Sequence, residues 1–148
     1  MHWLLSISIL IGVLASVEDL YRRRISNKTS ATAFALGLAA QTALHGLKGT
    51  GNALAGTLIG FIAFLIFFLL GGMGAGDIKL MAGFGAVLGA GQTLMAALLT
   101  AIVGGLLATG YLLARKLRRK PQKDAAAPEA IPYAPAITLG VLLSFAAR

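Results

Sequence analysis

LMAGFGAVLGAGQTLMAALLTAIVGGLLATGYLLA, residues 80–114, runs for 35 positions without a Lys, Arg, Asp or Glu. One unbroken helix of that length would reach about 50 Å at ~1.5 Å per residue, against a bilayer hydrocarbon core of about 30 Å. The run therefore predicts two helices with a break at Gly89-Ala90-Gly91. One is short, from about Asp77 to Leu88, and one is a full span from about Gln92 to Ala114. Four more charge-free runs occupy residues 2–17, 29–47, 49–76 and 130–147. The first reaches span length once Leu20 is counted past the acidic pair. The run 49–76 holds one span, roughly Asn52–Leu70, and then the glycine-rich stretch Gly71–Gly76. The expected fold is all-α: a polytopic membrane protein of about six transmembrane helices, the fourth short and following the glycine-rich segment. Residues 1–148 form one membrane-embedded domain.

Composition agrees. Of 148 residues, 57% are hydrophobic and 12% charged, against roughly 25% charged in a typical soluble domain. Mean hydropathy is +0.83. Too little charge is present to cover a small water-soluble domain, and too much apolar surface for a disordered chain. The absence of cysteine excludes a disulfide framework, a thiolate zinc site and a cysteine nucleophile. His2 and His45 lie near the outer ends of spans with no third ligand beside them, so no metal and no cofactor are expected.

The net charge of +8 invites a nucleic-acid reading, but its distribution explains it otherwise. With six spans, the loops 19–28, 71–79 and 115–131 share one side and carry 11 of the 13 basic residues. The positive-inside rule places that side in the cytoplasm and both termini outside. Residues 115–131 then form a cytoplasmic basic linker between the fifth and sixth helices. Nucleic-acid binding would need a folded basic surface rather than span-flanking loops, and is not expected. The lipid bilayer is the expected environment. The first run lacks a basic segment before it and has Arg22, Arg23 and Arg24 after it, which predicts a retained helix and not a cleaved signal.

Five acids remain. Asp124 and Glu129 sit in the basic linker as solvated charges. Glu18, Asp19 and Asp77 lie at the inner ends of apolar spans, where an ionisable group is costly and points to function. Asp77 ends the run Gly71-Gly72-Met73-Gly74-Ala75-Gly76-Asp77, whose glycines permit an unwound segment and close approach of another chain. It could equally serve as the cap of the helix that follows. Asp19 could pair with Arg22 or Arg23 at helical spacing. Both aspartates fall on the same face of the membrane. Two carboxylates sharing one water and one proton are the minimum equipment of aspartic proteolysis: one takes a proton from water, the other gives one to the peptide. Glu18 competes with Asp19, since neighbours on a helix point about 100° apart and cannot both face Asp77. Spacing does not choose between them.

Three stretches resemble the prepilin peptidases of type IV pilus and related secretion systems, GxGD aspartyl proteases of the membrane. Asp19-Leu20-Tyr21-Arg22-Arg23-Arg24-Ile25-Ser26-Asn27 is similar to the family's first-aspartate loop. Gly74-Ala75-Gly76-Asp77-Ile78-Lys79-Leu80 is similar to its GxGD segment. Ile131-Pro132-Tyr133-Ala134-Pro135-Ala136-Ile137 is similar to the segment opening its last helix. The resemblance implies Asp19 and Asp77 as catalytic residues, with Glu18 a bystander. Gly74, Gly76, Lys79 and Asn27 would shape the site. Lys79 would neutralise charge near Asp77 or flank the membrane, and Asn27 would cap or fix the loop. The implied substrate is a prepilin or pseudopilin precursor, cleaved at the cytoplasmic face of a bacterial or archaeal inner membrane. Ser26 stands where the family often has proline. The cysteine-paired methylating domain of larger members has no counterpart, so the chain resembles the peptidase-only form of tight-adherence (Flp-type) systems.

Two other classes fit the composition: a non-catalytic scaffold of a pilus or secretion apparatus, and a small proton- or cation-coupled transporter using the same acids.

Overall fold

A computed structural model describes residues 2–117 and 133–147. The described chain is all helical. Its elements are α1 (His2–Arg22), α2 (Asn27–Leu69), α3 (Ala75–Leu88), α4 (Ala90–Leu117) and α5 (Ala134–Ala146). Three helical stretches among the described residues are long and apolar enough to cross a membrane: His2–Arg22, Asn27–Leu69 and Ala90–Gly110. Their large apolar side chains are widely exposed, among them Leu10, Leu58, Ile62, Ile102 and Leu106. Such a continuous apolar exterior suits lipid rather than water.

Two helices expected at 29–47 and 52–70 appear as the single element α2, bent at Gly46. There the backbone takes φ 60° and ψ −145°, a region open essentially to glycine alone. The bend reverses the chain. The Thr42 and Thr50 hydroxyls lie 2.8 Å apart, whereas eight residues of straight helix would separate them by about 12 Å. The interruption thus falls at Gly46, ahead of the expected Lys48–Gly51. On either side stand two antiparallel arms, residues 27–45 and 47–69.

The expected break after Leu88 is present at one residue. Gly89 has φ 77°, and α4 resumes at Ala90, two residues ahead of Gln92. Asn52 on the second arm of α2 accepts the Ala90 N–H at 3.0 Å and holds the corner. The short helix begins at Ala75, so Asp77 is its third residue. α4 runs to Leu117 and absorbs the first three residues of the expected linker; residues 118–131 of that linker lie outside the described residues, as do 130–132 of the last expected span.

α3 is the centre of the bundle. From Asp77 to Leu88 every residue except Lys79 is buried. A helix apolar on all sides has to be enclosed on all sides, and the two arms of α2 enclose it. They do so through backbone. A Cβ on Gly56 would strike the Gly85 carbonyl, and one on Gly85 the Gly56 carbonyl; a Cβ on Gly60 would sit 2.7 Å from the Met81 carbonyl. Around this contact Ile11, Ala15, Phe64, Leu80, Phe84, Ile137 and Val141 form one core. Gln41, buried in the first arm, donates to the Val87 carbonyl at 2.9 Å.

The bundle has two distinct ends. Leu4, His45, Lys48, Asn52 and Leu88 line a cavity of about 570 Å³ at one. Asp19 lies fifteen residues along α1 from Leu4, about 22 Å away, at the other.

Gly85→Val should cost about 1–3 kcal/mol by overpacking. Thermal unfolding in detergent is expected to show a clear loss for this variant. Gly51→Ala, where a Cβ meets nothing within 4 Å, should leave the midpoint unchanged or slightly raised.

Candidate active site

Asp19 closes the buried stripe of α1, which runs Leu4, Ser8, Ile11, Gly12, Ala15. One turn past Ala15, it faces inward at 7% exposure, while Arg22, Arg23 and Arg24 beyond it are exposed. What meets it there is set by the crossing of α1 and α5. Thr138 packs on Gly12, and its hydroxyl donates to the Gly12 carbonyl at 3.2 Å. Ser16 and Thr138 place their hydroxyls 3.2 Å apart. Ala134, one turn earlier in α5, therefore lies opposite Asp19. Its N–H, free because it belongs to the first turn of a helix, donates to Asp19 Oδ2 at 2.9 Å in a buried setting. A carboxylate at a helix N-terminus is favoured by the exposed amides and the helix dipole. Beside the Arg22 or Arg23 pairing that helical spacing offers Asp19, the structure supplies a backbone amide 115 positions away.

Asp77 reaches its position by a similar device. Its Oδ2 accepts the Gly74 N–H at 2.9 Å. This is half of a capping box, the half that a glycine N-cap allows. Asp77 is also 7% exposed. The capping role open in the sequence is real, and it engages one oxygen of the carboxylate.

The turn after α1 joins the two acids. A Cβ on Gly76 would lie 3.2 Å from Ile25 Cβ, so the GAGD segment rests directly on this turn. Lys79 Nζ donates to Asn27 Oδ1 at 2.9 Å, linking the first turn of α3 to the start of α2. Asn27 is the first residue of α2; the cap itself is Ser26, whose Oγ accepts the Lys28 N–H at 3.0 Å. Asp19, near the end of α1, and Asp77, in the first turn of α3, lie at this same end of the bundle. Three stretches widely separated in sequence, around Asp19, Asp77 and Ala134, thus converge at one end of the bundle. Gly74, Gly76, Lys79 and Asn27 all lie there.

Glu18 points elsewhere. Its Oε2 accepts the Ser26 N–H at 3.0 Å and the Thr29 hydroxyl at 2.8 Å. It ties α1 to the start of α2 and braces the turn on which Gly76 rests. Sequence reasoning left it idle. The available signal was a cluster of donors, Ser26 and Thr29, eight and eleven residues downstream. The Ala134 amide left no sequence signal, because a backbone donor is not written in side-chain identity.

Long apolar helices with two buried carboxylates at one end of the bundle are the marks of a helical membrane protein. The sequence profile of the type IV leader peptidase family matches residues 5–109, well over half of the chain, and takes in both aspartates. The chain belongs to that family. No curated protein and no solved structure matches it. The matched stretch ends before α5, so the contribution of Ala134 rests on the structure.

Removing the Glu18 brace strands the Ser26 N–H and the Thr29 hydroxyl, a loss on the order of 1–3 kcal/mol when buried and less here, where the site is part-exposed. Trypsin should cut Glu18→Ala at Arg22–Arg24 about tenfold faster than the parent protein. Glu18→Gln keeps an acceptor oxygen and should stay within about twofold. Equal rates for all three would mean that Glu18 does not brace the turn.

Proposed function

We propose that the chain is an aspartic endopeptidase that removes the leader peptide from type IV prepilin-like precursors at the cytoplasmic face of a prokaryotic inner membrane. One observation supports the reading: Asp19 and Asp77, the two buried acids among the described residues, come from separate helices to the same end of the bundle. Each is anchored through Oδ2 by a helix-start amide. Anchoring by a neutral amide orients each carboxylate through one oxygen, so the other can serve proton transfer. In the proposed reaction one carboxylate takes a proton from the attacking water. The other, protonated, donates to the peptide carbonyl and later to the leaving amine. Two anchored acids need only a bound water, and the glycine-rich approach at Gly71–Gly76 gives an extended peptide room beside Asp77.

The chain crosses the bilayer six times in this proposal. The reversal at Gly46 divides α2 into two crossings, and α3 and α5 are short crossings. The basic residues Arg22, Arg23, Arg24, Lys28 and Lys79 then gather at the aspartate end, which the positive-inside rule assigns to the cytoplasm. A precursor would enter with its leader on that side and its apolar helix in the bilayer, alongside the bundle.

The test is co-expression with a pilin-like precursor and mass measurement of the product. Asp19→Asn and Asp77→Asn should each lower leader removal by at least about 10³-fold, while both proteins still fold. Glu18→Gln should retain it. Undiminished processing by either Asn variant, in a background where processing depends on this chain, would sink the assignment.

A further inference from the structure

The cavity at the end of the bundle away from the aspartates measures about 570 Å³, within the range of about 300–1,000 Å³ that small-molecule sites occupy. It lies where the two arms of α2 meet, at the reversal around Gly46. Leu4 of α1, Leu44 of α2 and Leu88 of α3 supply apolar wall; His45, Lys48 and Asn52 supply polar wall. These polar groups come forward as donors. Lys48 brings an ammonium, which donates and cannot accept. Asn52 Oδ1 accepts the Ala90 N–H at 3.0 Å, which fixes the orientation of the amide and leaves its N–H groups to donate. His45 adds a ring N–H. Gln41, buried below them, commits its Nε2 to the Val87 carbonyl.

No acid at this end balances Lys48. The acids among the described residues are Glu18, Asp19 and Asp77, and all three lie at the opposite end. Lys48 therefore has no carboxylate partner among the described residues. A cation set over leucine wall is complementary to an amphiphile of opposite sign. Depth agrees with that match. A reversal between two crossings falls at a membrane face, and Trp3, exposed beside Leu4, is a residue type that sits at headgroup level. Leu47, between His45 and Lys48, is 90% exposed and marks the apolar side of that boundary.

We propose that this cavity binds the headgroup of an anionic phospholipid. Its phosphate diester lies against Lys48, His45 and the Asn52 amide, and its acyl chain covers the leucine wall. The placement requires that the bundle lie in a bilayer and uses no step of the proteolysis proposed above. A zwitterionic lipid would set its own ammonium near Lys48, so a lipid of net negative charge fits better. Free phosphate would meet the donors and leave the leucines uncovered. A lipid seated here touches α1, the α2 reversal and the end of α3 together, so it stabilises the folded bundle by mass action.

The experiment follows thermal unfolding of the purified full chain in a neutral detergent as phosphatidylglycerol, phosphatidylcholine or inorganic phosphate is added. Phosphatidylglycerol should raise the midpoint by roughly 5 °C, and the other two probes by less than about 1 °C. Combining His45→Gln with Lys48→Gln should raise the half-saturating phosphatidylglycerol concentration at least about tenfold. Both side chains are exposed, so the midpoint of this double variant without lipid should match the parent's. If the double variant does not fold, Lys48→Gln alone is read in the same way, with about fivefold expected. Lys48→Arg keeps the charge and should stay within about threefold. Lys28→Gln removes a charge at the aspartate end and should stay within about twofold. Equal stabilisation of parent and double variant by phosphatidylglycerol would mean general solvation by lipid and overturn the site. Equal stabilisation by phosphatidylcholine would overturn the match of charge. A shift with inorganic phosphate as large as with phosphatidylglycerol would make this a site for a free oxyanion and overturn the lipid. No shift with any probe overturns the proposal outright.

Discussion

Helix α3 meets the two arms of α2 through glycine backbone, and the position of everything at the aspartate end follows from that contact. Gly56 and Gly85 exclude each other's Cβ, and Gly60 lies as tightly against Met81. In a bilayer, lipid chains solvate apolar side chains as well as other helices do. Close van der Waals contact between small residues therefore carries much of the association between helices. The buried helix is held at a fixed depth and rotation by its own backbone surface. Asp77, at its third position, inherits that placement.

Both acids are held at helix N-termini, and this reconciles two roles that look like rivals. A carboxylate that caps a helix is usually counted as structural. Here capping fixes one oxygen of Asp77 against Gly74 and one oxygen of Asp19 against Ala134. The same bonds hold two carboxyl groups at one end of the bundle inside the protein, where an unpartnered polar group would be costly. Structural anchoring and the proposed chemistry are thus compatible at this place. Glu18 works one step further out. It braces the turn at Ser26–Thr29, and that turn supports Gly76 through Ile25.

Much of this was legible in the sequence. The charge-free run 80–114 exceeds a bilayer thickness and had to break, and it breaks at Gly89. The glycine-rich stretch had to end in a helix start bearing Asp77, and it does, two residues earlier than expected. The Gly46 bend was harder to place. The charge at Lys48 pointed to an interruption a few residues later, because hydropathy marks where a span can end and not which residue adopts a positive φ. The partner of Asp19 was not legible at all. Helical spacing offers an arginine and is silent on the main-chain amide that the Gly12–Thr138 crossing brings in.

By itself, then, the sequence determined the solvent of this protein, the approximate number and lengths of its helices, and which few acids could matter. Apolar length and charge position are one-dimensional quantities, and a bilayer reads them directly. Only the tertiary structure decided which face each acid shows, that Asp19 and Asp77 come to one end of the bundle, and that Glu18 turns away to brace the turn after α1. Those outcomes depend on how closely two backbones can approach and on where free amides fall at helix starts. Both are properties of packed helices in three dimensions, and no residue declares them alone.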